Sequence, residues 1–291
     1  MAVSTATAIE TARAATERKT GSRWWIYVVL VVFALFYLVP IYVAIMTSLK
    51  SISDVTHTGI WEPPTSLTFD NFGKAFKVLS KGFQNSFLLV IPGVIISAVL
   101  GSLNGYVLSK WKFRGSNLIF TLILFGMFIP YQSVLIPLVQ FLQSIPGLYA
   151  SIPGLILVHV IYGIPITTLI FRNYYVGVPT ELVESGTVDG AGFFGIYRSI
   201  ILPLSMPAFV VVMIWQFTAI WNEFLFAVTL NSNPASQPVT VALAGLGSGT
   251  AGTNYGLQMA GSLLTALPTL IVYIFLGRYF IRGLLAGSVK G

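Results

Sequence analysis

Six long apolar runs, separated by shorter polar segments, constrain this sequence more than any other feature. A bilayer core about 30 Å thick requires roughly 20 apolar residues in a helix that rises about 1.5 Å per residue. Each run is at least that long, and the six occupy residues 24–46, 83–109, 117–142, 148–171, 204–230 and 261–282. The sequence therefore predicts an all-α integral membrane protein with six transmembrane helices.

The composition excludes several classes of soluble and metal-dependent protein. Apolar residues make up 55% of the chain and charged residues 9%, against about 25% charged residues in soluble domains. The chain has no cysteine, which excludes disulfides, thiolate metal sites and cysteine nucleophiles. His57 and His159 are isolated from each other and have no HExxH pattern, so we expect no metal site. We expect His159 to hydrogen-bond to a neighbouring helix or to a pore wall.

The basic residues are distributed unequally between the two sides of the predicted membrane domain. One side receives 12 of the 16 Lys and Arg residues, and the other receives only Lys50, Lys74, Lys77 and Lys81. The positive-inside rule then places both termini in the cytoplasm. Because the cations are scattered over five segments, they do not form the continuous basic stripe of a nucleic-acid binder. The net charge of +7 therefore reports membrane topology.

The runs also divide the chain into a long membrane domain and two short tails. Residues 1–22 and 284–291 are predicted cytoplasmic tails, and residues 23–283 form the six-helix domain. In the second run Ser97, Gly101 and Gly105 recur every four residues, a pattern that lets a second helix approach closely. Prolines in or near most runs favour a packed bundle, although ordinary helix kinking explains them equally well.

The loop at residues 178–200 is predicted to form a cytoplasmic helix pair between spans 4 and 5. Thr180 suits the N-cap of a first helix, and the acids that follow it lie in the first turns, where the helix dipole favours them. Small residues at 190–192 predict a turn, and residues 193–200 predict a second short helix before Pro203 opens the fifth span. The small residues offer a face that another protein could approach closely; the alternative is a passive loop.

Two phosphate-binding patterns test whether this chain handles a nucleotide itself. The GxxxxGK[ST] loop does not occur in the sequence, so any energy that the protein uses must come from elsewhere. A GxGxxG string at Gly247, Gly249 and Gly252 lies in a predicted outer loop, and no acidic residue follows Glu223 to bind a ribose. We therefore expect a flexible loop at this string.

The predicted helix pair resembles the EAA motif of ABC import permeases, which reads EAA, three residues, G, nine residues and IxLP. Glu184, Gly190 and Pro203 occupy matching positions, and Ser185 and Gly186 replace the two alanines with residues that are also small. Residues 128–137, 221–224 and 282–291 resemble the carbohydrate-uptake branch, specifically its maltose-type second permease. The segments similar to permeases of glucose/mannose importers are residues 103–115, 158–163, 171–176 and 237–243.

The resemblance implies a transport subunit, not an enzyme, in a prokaryotic inner membrane. In that family two permeases pair, two ATP-binding subunits bind them, and an extracytoplasmic sugar-binding protein delivers the cargo. ATP and Mg²⁺ are then held by the partner subunits, and no cofactor is expected on this chain. The implied cargo is a monosaccharide such as glucose or mannose, with a disaccharide, an oligosaccharide or a polyol as the alternative. The residues implied in ATPase coupling are Glu181, Glu184, Ser185, Gly186, Asp189, Gly190, Ala191 and Pro203, with Val289 and Lys290 as a C-terminal contact.

Glu223 is the one acidic residue within a predicted span and marks a candidate sugar pathway. An ionised side chain costs at least about 2.5–3.5 kcal/mol at the bilayer centre, so Glu223 should face protein or water. With Gln216, Trp221 and Asn222 it offers the aromatic, amide and carboxylate groups that suit a sugar. The alternative for these groups is a helix–helix hydrogen bond or an interfacial belt. Further candidates for the pathway are Tyr131, Gln132 and Asn85.

Two other functions are compatible with a membrane protein but not with this sequence pattern. A secondary transporter would show an inverted repeat and charged groups at mid-membrane, whereas this sequence has no repeat and a single acid within a span. A membrane enzyme would need a convergent set of His, Asp or Cys residues, which the sequence lacks. The import permease is therefore the function that the sequence favours.

Overall fold

The computed structural model describes residues 24–111, 113–246, 248–249 and 252–288. In chain order its helices and strands are α1 (Trp24–Ser48), α2 (Ile52–His57), α3 (Asp70–Lys110), α4 (Ser116–Phe125), α5 (Tyr131–Gln143), α6 (Ile152–Val176), α7 (Glu181–Val188), α8 (Phe193–Ile196), α9 (Leu202–Leu204), α10 (Met206–Trp221), α11 (Leu225–Leu230), α12 (Val239–Gly245), β1 (Ser248–Gly249), β2 (Gly252–Thr253) and α13 (Tyr255–Ser288). Short 3₁₀ turns occupy Gly126–Phe128 and Pro234–Ser236, and a π-helical segment occupies Tyr197–Ile201. The predicted all-α class is confirmed.

The predicted six spans are only partly continuous helices. Four helices, α1, α3, α6 and α13, are each long and apolar enough to cross a membrane. The third predicted span consists of α4 and α5, which are bent by 97° around Ile129 and Pro130. Ile129 is extended because proline disfavours helical backbone in the residue before it, and Pro130 lacks the amide that would continue the helix.

The fifth predicted span also differs from the structure. The segment Phe193–Leu204 is bent by 77° relative to α10, and α10 begins at Met206. The prediction that Pro203 opens this span is therefore wrong. Ser205, with φ −90° and ψ 2°, interrupts the helix between Pro203 and the start of α10. The described chain thus has four continuous spans, or six if each bent pair is counted as one.

The longest described helix, α3, packs along α6 at its small residues. Thr167 of α6 lies directly against Gly101, and its hydroxyl donates a hydrogen bond to the carbonyl of Ser97 (3.1 Å). A Cβ atom added at Gly105 would lie 2.8 Å from the amide nitrogen of Arg172. The prediction that this four-residue repeat permits close helix packing is confirmed, since any larger side chain would separate the two backbones.

Buried apolar side chains form two clusters along the bundle. One surrounds Trp221 and Leu79, and the other surrounds Tyr106 and Phe171 near the last turns of α3 and α6. The second cluster also contains Ile196, from the loop between α6 and α10. This loop is therefore packed onto the membrane helices and is not a detached connection.

The ends of the predicted membrane domain are only partly within the described residues. Residues 1–22 lie outside them, as do Val289 and Lys290. Helix α13 continues to Ser288, so the predicted tail boundary after residue 283 falls inside a helix. The GxGxxG string leads into the antiparallel pair β1–β2, in which Gly249 lies opposite Gly252, while Gly247 is outside the described residues.

Candidate functional site

The predicted turn in the loop between α6 and α10 is present and depends on one glycine. Gly190 has a φ angle of +80°, a left-handed conformation that glycine adopts without strain. Its amide donates to the carbonyl of Thr187 (3.0 Å), and the Ala191 amide donates to the carbonyl of Gly186 (2.9 Å). These are the two hydrogen bonds of a Schellman helix end. The turn that separates α7 from α8 is thus fixed by its own backbone.

The beginning of α7 differs from the prediction. Thr180 precedes the first residue of α7, as predicted, but it has helical backbone angles (φ −70°, ψ −27°) and its side chain makes no capping hydrogen bond. The carbonyl of Thr180 accepts hydrogen bonds from the amides of Val183 (2.9 Å) and Glu184 (3.1 Å). Glu181 and Glu184 do lie in the first turn, as predicted, and both are exposed. Their charges face solvent near the positive end of the helix dipole.

One of the small residues predicted to face a partner faces its own chain. Gly186 is buried, and a Cβ atom there would lie 2.9 Å from Ile200 Cδ1 and 3.3 Å from Ile196 Cγ1. Its small size is needed for packing α7 against the following segment, so Gly186 is not part of an exposed docking face. The other predicted coupling residues that the structure leaves exposed or half-buried are Glu181, Glu184, Ser185, Asp189, Gly190, Ala191 and Pro203.

Val188 and Phe194 are the most exposed large apolar residues of this loop, and the sequence reasoning missed them. The side chain of Val188 is 87% exposed and that of Phe194 is 70% exposed. Val188 lies about 140° around the helix from the buried Val183, a separation readable from the 100° step of a helix. We define the α7–α8 surface as the exposed residues Glu181, Glu184, Ser185, Val188 and Phe194.

The second helix of the loop is held against α3 by aromatic rings. It is shorter than predicted, because α8 ends at Ile196 and continues as the π-helical segment. The ring of Tyr106 lies 4.9 Å from that of Phe193 and 5.6 Å from that of Tyr197, measured between centroids. Lys110 Nζ also donates a hydrogen bond to the carbonyl of Val178. The loop is thus attached to the end of α3 by both apolar and polar contacts.

Three of the predicted pathway residues make hydrogen bonds inside the bundle. Trp221 is 1% exposed and its Nε1 donates to the carbonyl of Thr265 (3.0 Å). The Gln216 amide donates to Ser97 Oγ (2.9 Å). The amide of the buried Asn85 donates to two carbonyls, those of Ala235 and Gln237, each at 3.0 Å. For Gln216 and Trp221 the alternative interpretation, a helix–helix hydrogen bond, is confirmed.

Glu223 lies in the break after α10, beside the buried His159. Its carboxylate accepts hydrogen bonds from the amides of Phe226 (2.7 Å) and Ala227 (3.2 Å) and so caps α11. Glu223 Oε2 is 3.8 Å from His159 Nε2, which has no hydrogen-bond partner. Nε2 of His159 therefore makes no hydrogen bond to a neighbouring helix, and a carboxylate lies near it. The Glu223 side chain is 18% exposed, so it also reaches the surface of the chain.

The remaining pathway candidates are exposed. The ring of Tyr131 lies 5.5 Å from that of Phe226, so Tyr131 is close to the Glu223 cap. Gln132 is exposed beside it, and the Asn222 amide donates to the carbonyl of Thr218 on its own helix (2.9 Å). Within the described ranges, no three His, Cys, Asp or Glu residues are placed to hold a metal ion. The acidic, amide and aromatic groups that remain accessible are therefore grouped around the break between α10 and α11.

Comparison with known proteins identifies the family. Residues 93–284 match the family described as the binding-protein-dependent transport system inner membrane component. The chain is 40% identical over 279 residues to the xylose/arabinose import permease protein XacI of Haloferax volcanii, covering 89% of this chain and 90% of the relative. It is 33% identical over 274 residues to the glucose import system permease protein GlcU of Saccharolobus solfataricus, covering 91% and 95%. A probable ABC transporter permease protein of Pyrococcus horikoshii is 46% identical over 275 residues, with 94% and 99% covered.

The fold agrees with these relationships. A crystal structure of a bacterial ABC transporter involved in the import of the acidic polysaccharide alginate contains a chain that superposes with a TM-score of 0.77 at 22% sequence identity. The match covers 90% of this chain and 98% of that one. Sequence and fold together confirm the resemblance carried by the loop motif. The chain belongs to the family of inner-membrane components of binding-protein-dependent transport systems, and it is a permease of the ABC sugar-importer type.

Proposed function

We propose that this chain forms half of the translocation pathway of a sugar importer and that its α7–α8 surface binds an ATP-binding subunit. The complete transporter would contain a second permease, two ATP-binding subunits that hold ATP and Mg²⁺, and an extracytoplasmic sugar-binding protein. Both termini, and therefore the α7–α8 surface, would lie in the cytoplasm, as the distribution of Lys and Arg favours. The C-terminal residues Val289 and Lys290 are proposed as a second contact with the ATP-binding subunits.

The observation that carries this proposal is the exposure of Val188 and Phe194 on a loop with the spacing of the EAA motif. Burying a side chain of this size contributes about 1.5–3 kcal/mol, so two neighbouring ones supply a substantial part of a docking energy. The adjacent acids, Glu181 and Glu184, add charge that can select the partner and fix its orientation. Gly190 sets the direction of the chain between the two apolar side chains.

Reversing the charge of Glu184 tests the docking proposal. In Glu184→Lys we expect the amount of ATP-binding subunit that co-purifies with the permease to fall at least about tenfold, because a cation would face a partner surface complementary to an acid. The matched control is Glu62→Lys, which makes the same exposed charge change in the segment between α2 and α3. Normal co-purification with Glu184→Lys, measured in equal amounts of detergent-solubilised permease, would contradict the proposal.

For the cargo we propose a monosaccharide such as glucose or mannose. The names of two relatives support this size class, since one imports glucose and the other xylose and arabinose. On this chain the proposed pathway residues are Asn222, Glu223, Tyr131 and Gln132, which are accessible around the break after α10. Trp221, Gln216 and Asn85 would hold the wall behind them through their buried hydrogen bonds. The alternative cargo is a disaccharide, an oligosaccharide or a polyol.

A labelled-sugar panel tests the cargo. With the whole transporter in vesicles, we expect ATP-dependent uptake of at least one monosaccharide from a panel of glucose, mannose, xylose and arabinose, with no competition from maltose. Glu223→Gln should lower that uptake about tenfold, because the amide carries no charge and can accept only one of the two α11 amide bonds. Glu62→Gln is the control. Uptake of the disaccharide alone would overturn the monosaccharide proposal.

A further inference from the structure

Two buried hydroxyl groups and one from a half-buried tyrosine meet where the α7–α8 loop joins the membrane helices. Ser102 Oγ lies 2.6 Å from the hydroxyl of Tyr175 and 2.8 Å from the hydroxyl of Tyr197. Ser102 and Tyr175 have no exposed surface. The three residues belong to three different elements, namely α3, α6 and the π-helical segment. We call this group the hydroxyl junction.

The chemistry of the junction links all three elements at once. A serine hydroxyl has a single hydrogen, so Ser102 can donate to only one tyrosine and accepts from the other in the same arrangement. If one element moves alone, at least one of the two bonds breaks, and the bond between Ser102 and Tyr175 is fully buried. The three elements therefore move together as long as both bonds remain.

The position of Tyr197 connects the junction to the α7–α8 surface. Tyr197 begins the π-helical segment, a conformation that is rare and occurs frequently at functional sites. The same segment continues directly from α8, and Ile196 and Ile201 on either side are buried in the cluster around Tyr106. Tyr197 lies within one helical turn of Phe194, so a displacement of the α7–α8 surface would move Tyr197 as well.

The connection from the loop to α10 is of a different kind. At Ser205 the chain bends by 77° between the segment ending at Leu204 and α10. A bent joint can absorb part of a rotation by changing a few backbone angles, although the Ser205 side chain at this bend also hydrogen-bonds to Tyr175. By contrast, α3 and α6 are packed backbone to backbone at Gly105, so a force on one is passed to the other.

We infer that the hydroxyl junction of Ser102, Tyr175 and Tyr197 transmits movement of the α7–α8 surface to α3 and α6. Ser102 and Tyr197 are then positioning residues, whose loss separates ATP hydrolysis from sugar movement. The inference rests on the proposed function, in which the α7–α8 surface binds the ATP-binding subunit. It adds the route by which binding and release of the ATP-binding subunit at this surface change the sugar pathway.

The test uses Tyr197→Phe in the complete transporter, reconstituted with its second permease, ATP-binding subunits and sugar-binding protein. Phenylalanine keeps the ring against Tyr106 and removes only the hydroxyl. We expect the sugar transported per ATP hydrolysed to fall at least about fivefold, the change that corresponds to losing one hydrogen bond, while the ATP-binding subunits stay bound. Ser102→Ala should give the same ratio. The control is Tyr174→Phe, which removes a hydroxyl bonded to the Leu204 carbonyl outside the junction and should leave the ratio unchanged.

Several results would overturn the inference. An unchanged ratio in both Tyr197→Phe and Ser102→Ala would show that the junction does not transmit the movement. A proportional loss of hydrolysis and transport would show that the hydroxyls only stabilise the fold. If the fold change in the Ser102→Ala/Tyr197→Phe double variant equals the product of the two single-variant fold changes, the two residues do not act as one unit. Failure of the proposed function gives a different pattern, in which Glu184→Lys still binds the ATP-binding subunit normally.

Discussion

Replacing Gly190 by proline is expected to abolish sugar uptake while leaving the permease in the membrane. The proline ring fixes φ near −65°, whereas Gly190 requires +80°, so the turn after α7 cannot form. Proline also has no amide to donate to the Thr187 carbonyl. The chain would then leave α7 in another direction and separate Val188 from Phe194. An ATP-binding subunit that fits both side chains together would lose its docking surface.

The measurement pairs uptake in vesicles with the amount of permease in the membrane fraction. Gly190→Ala should be intermediate, because a left-handed alanine costs about 1–2 kcal/mol without forbidding the turn. Gly192→Ala is the control, since Gly192 has φ −75° and no atom lies within 4 Å of a Cβ added there. Full uptake by Gly190→Pro would mean that the turn is not needed for docking.

Replacing Gly105 by leucine is expected to prevent the folded bundle from forming. A Cβ atom alone would lie 2.8 Å from both the Arg172 amide nitrogen and Phe171 Cβ, and part of that contact is backbone, which cannot rotate away. Overpacking by single methylenes already costs about 1–3 kcal/mol, and leucine adds four carbons at this point. Helices α3 and α6 would have to separate, and the buried cluster around Tyr106 would open.

The measurement is the yield of monodisperse protein in mild detergent together with its midpoint of thermal unfolding. Gly73→Ala on the same helix is the matched control, because no atom lies within 4 Å of a Cβ added at Gly73. There the alanine should stabilise α3 by about 0.5–1 kcal/mol, since it restricts the unfolded chain more than glycine does. A Gly105→Leu protein as stable as the unchanged chain would refute close packing of α3 on α6.

The spans were predictable from apolar runs, but the two bends were not. Proline explains the break at Pro130, yet Pro92, Pro137, Pro165 and Pro268 lie inside continuous helices. A proline inside a helix removes one hydrogen bond; whether the helix then kinks slightly or breaks depends on which neighbouring groups satisfy the freed carbonyl. That information lies in the packing of other helices and not in the local sequence.

The features of the candidate site were likewise predictable only where they depend on a few consecutive residues. The spacing of the motif located the turn at Gly190, because a turn is decided by a few consecutive residues. The buried orientation of Gly186 depends on Ile200, which follows after another helix. His159 and Glu223 approach within 3.8 Å although many residues separate them in the chain, since α6 packs beside the break after α10. No pattern within one segment reports such a contact.

Helix α3 has a mechanical consequence that follows from its length alone. Its 41 residues span about 60 Å, roughly twice the hydrocarbon thickness of a bilayer. A rod that pivots near its middle moves its two ends by similar distances in opposite directions. The end at Lys110 adjoins the α7–α8 loop, and the end at Asp70 lies about 60 Å away along the same helix. Because the helix is continuous, a tilt about its middle would displace both ends at once without any helix unwinding.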